Sequence, residues 1–187
     1  VLLIGDHKQL RPSVACHELT LSFGLDVSLF ERCINRKVSS QMLRTQRRMR
    51  PAISRLVHPI YPDLRDHPSV FGRPSVMGLS SNVHFITHHH PEAVDGDLRS
   101  PKNDHERIAI LYLASVLLGT GYQQEKITIL SAYVGQLLAL KASLEAAGMN
   151  KVLLKTVDAY QGEENDIIIL SLVRSNTAGK LGFTAVH

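Results

Sequence analysis

Cysteine is scarce in this chain: there are two, Cys16 and Cys33, and neither stands in a Cys-x-x-Cys pair. That excludes a disulfide framework and a zinc site built from cysteine pairs, and it suits an intracellular, reducing compartment. Long apolar runs are also missing. The stretch 167–170 is far too short to cross a bilayer, so no membrane partner is expected. No leader peptide is visible, and the first residue is Val1 rather than methionine. The expectation is a segment of a longer protein, truncated at both ends. No internal repeat, low-complexity tract or domain boundary is visible. Neither sign of charge dominates: the formal net charge is +4 and the isoelectric point about 9.2. That mild excess is compatible with a polyanionic partner without demanding one. What is present is an ordinary globular composition, 44% hydrophobic and 20% charged over 187 residues. This length suits one domain with a single core.

Several apolar runs lack helical periodicity: residues 1–4, 83–86, 127–130, 152–154 and 167–173. Runs of this length predict strands buried on both faces, as in parallel sheets. Helical patterns lie between them. Asn103 with Glu106 three residues on predicts a helix start, and Gly119 its stop. Residues 134–147 place Val134, Leu137, Leu138 and Leu144 near one face. The alternation predicts an α/β domain with a parallel sheet and helices on both faces. Residues 58–105 hold six prolines, Pro59, Pro62, Pro68, Pro74, Pro91 and Pro101. They predict surface connections around one strand, with a mobile loop near residues 88–99.

Ligands of open α/β sheets bind beyond the carboxyl ends of the strands. Three such ends carry polar clusters. GDHKQLRP brings Gly5, Asp6, Lys8, Gln9 and Arg11. SAYVGQ brings Ser131, Tyr133 and Gln136, and TVDAYQGEEND brings Thr156, Asp158, Gln161, Gly162 and Glu164. A fourth cluster, RTQRRMRP, sets Arg44, Arg47, Arg48 and Arg50 before a helix expected near Pro51. Taken singly, each reads more readily as a turn or a solvated face than as a site. His88, His89 and His90 read as a polar loop rather than a metal site, because adjacent residues cannot easily face one ion. Tyr160 reads equally as a base-stacking residue or a buried strand-end tyrosine.

The order and wording of the clusters resemble the motifs of superfamily-one helicases. GDHKQL resembles motif III, QRRMRP the motif IV region, and VDAYQGEENDIIILSLVRSN motif V of the Upf-like branch. ILSAYVGQ resembles a TPYxxQ-like segment of that branch. LIGDHKQLRPS, SLFER and RMRP bring the chain nearest to the NFX-type zinc-finger-containing helicases. The resemblance covers nearly the whole chain. It implies that residues 1–187 are a second RecA-like domain of the P-loop-NTPase type, within an ATP- and magnesium-dependent helicase of the cytoplasm rather than the nucleus. The implied partners are single-stranded RNA, or DNA, and the first RecA-like domain of the same protein.

Carried over position by position, Gln9 would sense the γ-phosphate and Arg48 would reach across to it. Gly5, Asp6, Gly162 and Glu164 would lie around the nucleotide. Ser131, Tyr133, Thr156 and Val157 would line the nucleic-acid path. Arg47 stands where related helicases often place an adenine-stacking aromatic residue. No GxxxxGK[ST] loop occurs in the chain, so the main phosphate cradle is absent. No DEA-type word precedes motif III, so the main magnesium ligands are expected outside these residues. Two other functions fit the same fold: a non-catalytic RNA-binding scaffold, and a DNA-repair helicase-nuclease.

Overall fold

The structure is a computed structural model that describes residues 2–12, 14–94 and 99–182, with the backbone alone at residue 17. The chain packs into two compact units, Val1–Arg73 and Pro74–His187. The division falls inside the proline-rich stretch, where no shift in composition marks it.

Among its described residues the first unit holds three short α-helices, α1 (His17–Phe23), α2 (Leu29–Asn35) and α3 (Pro51–Val57). Two two-residue strands, β1 (Thr45–Gln46) and β2 (Arg65–Asp66), pair in parallel with Gln46 opposite Asp66. The α2 start is encoded locally: the Ser28 side chain accepts from the Glu31 N–H, which satisfies a donor the helix cannot use. α3 begins on Pro51 directly after the arginine cluster, as the sequence predicts. The expected strand at residues 1–4 does not form over residues 2–4, where Leu2 and Ile4 are 82% and 86% exposed. An apolar run becomes a strand only when a neighbour supplies the ladder, and none of the described strands pairs with it.

The second unit opens with β3 (Ala93–Val94) and β4 (Pro101–Lys102), an antiparallel pair. The expected loop at residues 88–99 spans this pairing, and its residues 95–98 lie outside the described residues. Then follow α4 (Asp104–Gly119), β5 (Ile127–Ser131), α5 (Val134–Ala146), β6 (Leu153–Thr156) and β7 (Ile167–Ser171). The last three strands form a parallel sheet in the order β6-β5-β7. Every residue of the central β5 is buried, as a strand flanked on both edges should be. Ile127, Ile129, Ile167 and Ile169 point to one face. There they pack with Ile110 and Leu117 of α4 and with Leu140 and Leu144 of α5. The opposite face carries the half-exposed Ile168 and Leu170. The architecture is a mixed α/β fold with parallel sheets and helices, consistent with a RecA-like domain.

Two strand expectations change here. Residues 83–86 form no strand, and Phe85 and Ile86 are exposed. The Ser81 hydroxyl exchanges hydrogen bonds with the Val83 backbone, and such local bonds compete with a ladder. The run 167–173 stops pairing at Ser171. Val173 is fully buried at φ 69°, a conformation β-branched residues avoid. It is held there by the Glu106 carboxylate on its N–H and the Asn103 amide on its carbonyl. No helix among the described residues is long and apolar enough to cross a membrane.

Candidate functional site

In the first unit, Asp6 organises the GDHKQ turn. Its carboxylate accepts from the Lys8 N–H at 3.0 Å, the Gln9 amide at 2.8 Å and the Tyr61 hydroxyl at 2.7 Å. Partial burial pushes the Asp6 carboxyl up. The hydrogen bonds outweigh it, and the group titrates below its ordinary value. Tyr61 is pushed up to about 12 by its burial and by the neighbouring Asp6 charge. Lys8 donates to the Ile60 carbonyl at 2.6 Å, so the segment after α3 clamps the turn from behind. Gly5 packs against the Phe30 ring, where an added Cβ would meet it at 3.3 Å. Arg11 is engaged with Asp26 and Glu31 at 2.9 and 2.7 Å. Gln9 itself stays exposed.

The arginine cluster is ordered by one residue to which the motifs assign no role. The Gln46 carbonyl oxygen accepts from the N–H groups of Arg48 and Met49, at 2.9 and 2.7 Å. Its amide donates to the Met49 carbonyl at 2.6 Å and to Asp66 at 2.7 Å. Asp66 in turn accepts from the fully buried Ser54 of α3 at 3.1 Å. Arg48 stands exposed on this loop. Arg47 is exposed too, 3.3 Å from the His67 ring nitrogen, and its carbonyl accepts from Arg73. Arg50 supplies the backbone that starts α3.

In the second unit the candidates gather at the carboxyl ends of β5 and β6. Ser131 and Thr156 are register partners, and Val157 donates its N–H to the Ser131 carbonyl. Ser131 is fully buried, and its hydroxyl is occupied by the backbone N–H and carbonyl of Tyr133. Its work is therefore to aim Tyr133. The Tyr133 ring lies under the Arg174 guanidinium at 5.9 Å, and Arg174 pairs with Glu92 at 2.9 Å. Thr156 is half-buried and accepts from the Ala159 N–H. Gly162 and Glu164 are exposed on the turn that follows, and Gly162 sits at φ 85°, where a side chain would be strained. Tyr160 is buried, and its hydroxyl has no hydrogen-bond partner among the described residues.

Gln136 is not solvated but fully buried. Its amide bridges the Asn103 backbone and the Ser171 hydroxyl. Ser171 donates to Glu106 at 2.6 Å, and Glu106 lies 3.2 Å from His88. This network ties the α4 start to the β7 end. His88, His90 and His105 also cluster, with the last two rings stacked at 3.8 Å. Lost hydration and the adjoining His90 and His88 hold His105 below the usual histidine value. No group among the described residues could hold a metal ion.

The donor set of the first unit, a neutral amide at Gln9 and a guanidinium at Arg48, suits phosphate oxygens rather than a cation. Gln46, Tyr61 and Asp66 are the site residues that motif matching misses. Gln46 is inside the RTQRRMRP word, but Tyr61 and Asp66 carry no local signal.

An AAA-domain family profile matches residues 25–186. The chain belongs to the AAA-domain family of the superfamily-one helicase type. Within that family it is 45% identical to the NFX1-type zinc finger-containing protein 1 of Mus musculus, over all of this chain and 10% of that protein. It is 39% identical to the helicase required for RNAi-mediated heterochromatin assembly 1 of Schizosaccharomyces pombe, over 98% of this chain and 19% of that protein. It is 33% identical to the DNA-binding protein SMUBP-2 of Rattus norvegicus, over 98% of this chain and 20% of that protein. The chain therefore spans between a tenth and a fifth of these relatives. As a helicase-type AAA domain, it has GDHKQL and RRMRP in one compact unit and the Thr156–Glu164 turn in the other.

Proposed function

We propose that this helicase-type domain works within an ATP-dependent helicase or translocase that moves on single-stranded nucleic acid, RNA in preference to DNA. The observation that supports the reading most is the state of Gln9 and Arg48. Both are exposed: Asp6 holds the Gln9 turn through the Lys8 N–H and the Gln9 amide itself, and Gln46 holds the Arg48 N–H. Preorganised donors stabilise charge that develops on a transferring phosphoryl group without reorganising at the moment of reaction. ATP supplies that phosphoryl group when bound.

Arg48 would hold a permanent, planar cation for its oxygens, and the Gln9 amide would donate to them as well. Gly5 and Asp6 shape the turn that carries Gln9. Arg47 stands where related helicases often place the adenine-stacking aromatic residue, and Gly162 and Glu164 are assigned to the nucleotide on the strength of the motif resemblance. Tyr133, Thr156 and Val157 contact the nucleic-acid backbone, with Ser131 behind them. Phosphate contacts of this kind position a strand without reading bases. The main magnesium ligands are proposed to lie outside residues 1–187, and no step here is assigned to the metal. The first RecA-like domain of the same protein completes the nucleotide site, and the cytoplasm is the proposed location.

The test is phosphate release from ATP by the complete protein, with and without single-stranded RNA. The reading expects strong stimulation by RNA, and no turnover from residues 1–187 alone, which lack the phosphate loop. Thr156→Glu should weaken RNA binding about equally across base compositions, and binding should fall with salt as counterions are released. A complete protein that binds RNA yet releases no phosphate would instead be a scaffold. Tighter binding to DNA than to RNA of equal length would reverse the choice of polymer.

A further inference from the structure

The arginine that the proposed reaction needs is exposed, and a long exposed side chain is productive only if its backbone is held. Regular structure does little of that holding here. β1 ends at Gln46, and α3 does not begin until Pro51. The intervening backbone is instead gathered onto one carboxamide. Gln46 takes both the Arg48 and Met49 N–H groups on its oxygen and gives its N–H groups to the Met49 carbonyl and Asp66. These contacts allow only one orientation of the amide, because Asp66 accepts and the two backbone N–H groups donate. Asp66 is fixed from two sides. The β1–β2 pairing sets it opposite Gln46, and the Ser54 hydroxyl donates to its second oxygen. The line Ser54–Asp66–Gln46 thus runs from a fully buried helix position to the backbone of Arg48.

We propose that Gln46 is a positioning residue that sets the direction of Arg48 through its backbone, with Asp66 orienting Gln46. The inference rests on the reading of Arg48 as the phosphate-directed cation. The Gln46 carboxamide is taken up by the loop backbone and Asp66, so its loss should act on the catalytic step and leave ground-state binding alone.

The experiment is carried out on the complete protein, with steady-state phosphate release, RNA affinity without nucleotide, and thermal unfolding measured together. Gln46→Ala should lower kcat about 10²-fold, the scale of a small misplacement of a catalytic group. KM for ATP and RNA affinity should stay near those of the parent, and the unfolding midpoint shows that the variant is folded at the assay temperature. Gln46→Glu sets a carboxylate against Asp66 and should be similarly impaired. Adding Asp66→Asn lets the new amide donate to the introduced carboxylate, and should recover about tenfold of the loss. Arg48→Ala is measured beside them. If it keeps near-normal turnover, the reading of Arg48 fails and this inference fails with it. If Arg48→Ala is inactive while Gln46→Ala turns over normally, the positioning role alone is overturned. That role is also overturned if the folded double variant is no better than Gln46→Glu. Should Gln46→Ala not fold, the Gln46→Glu single and double variants decide by the same rescue.

Discussion

The two compact units are held by different physics. Residues 74–187 contain the apolar cluster of Ile110, Leu117, Ile127, Ile129, Leu140, Leu144, Val152, Ile167 and Ile169, built on a three-stranded parallel sheet. Among the described residues of 1–73, Val70 is the one buried hydrophobic side chain. Order there comes from polar clasps: Asp6 with Gln9 and Tyr61, Gln46 with Arg48, Met49 and Asp66, and Arg11 with Asp26 and Glu31. An apolar core gives stability that does not depend on direction, whereas a hydrogen-bonded clasp sets angles. The unit carrying Gln9 and Arg48 is the one built from directional contacts. Substitutions in the first unit should therefore alter chemistry more than stability, and those in the second stability more than chemistry.

The largest effect should come from Arg48→Ala in the complete protein. Arginines that stabilise a transferring phosphoryl group are worth roughly 10³–10⁵ in turnover. RNA affinity and unfolding midpoint should be unchanged. Arg48→Lys should stay badly impaired, because an ammonium lacks the planar fork, while Arg50→Ala should be milder. Turnover that survives Arg48→Ala but not Arg50→Ala or Arg47→Ala would move the functional arginine.

Next in size is Ile129→Ala at the centre of β5, which is fully buried in the core cluster. Chemical denaturation should show a loss of about 2–5 kcal/mol. Leu43→Ala in the first unit, at a side chain 90% exposed, should change stability by about 0.5 kcal/mol or less. Equal losses would erase the contrast between the units.

Asn103→Ala tests the polar exception inside the apolar unit. This fully buried side chain caps α4 through the Glu106 N–H and donates to the His90 and Val173 carbonyls. Its removal should cost about 2 kcal/mol in stability. Loss of amide-exchange protection should concentrate at the α4 start and the β7 end.

The smallest effect is Tyr61→Phe, which removes one of the donors holding Asp6. Asp6 titrates below its ordinary value of 3.8 in the folded chain. Its contribution is therefore fully present above about pH 4 and is lost as the pH falls through the lowered folded value. Without the Tyr61 donor the folded value should rise, so acid destabilisation should begin at higher pH. A carboxyl titration followed by NMR would read the shift directly, and an unchanged Asp6 midpoint would refute it.

Much of the second unit was legible from the chain. β5, α4 and α5 appear where apolar runs, the Asn103 cap and the helical spacing predict them. Their signal is local, since each segment's own pattern states which face must be buried. The runs at 2–4 and 83–86 carry the same apolar signal but form no strand. Whether such a run becomes a strand depends on a neighbour that the run does not encode. The candidate site divides in the same way. Motif words pointed to Gln9 and Arg48, and the structure leaves both exposed. They could not show that Ser131 is buried beneath Tyr133, or that Gln136 lies inside the fold.

Apolar runs and helical spacing were therefore enough to predict a parallel α/β domain, and the resemblance of the motif words to helicases singled out an amide and a guanidinium as the proposed phosphate contacts. Tertiary structure alone decided how those two groups are held. Tyr61 meets Asp6 across 55 residues, and Asp66 meets Gln46 across 20. Hydrogen bonds act over about 3 Å in space, whatever the separation along the chain. Residues so far apart in sequence become partners only once the backbone between them has folded.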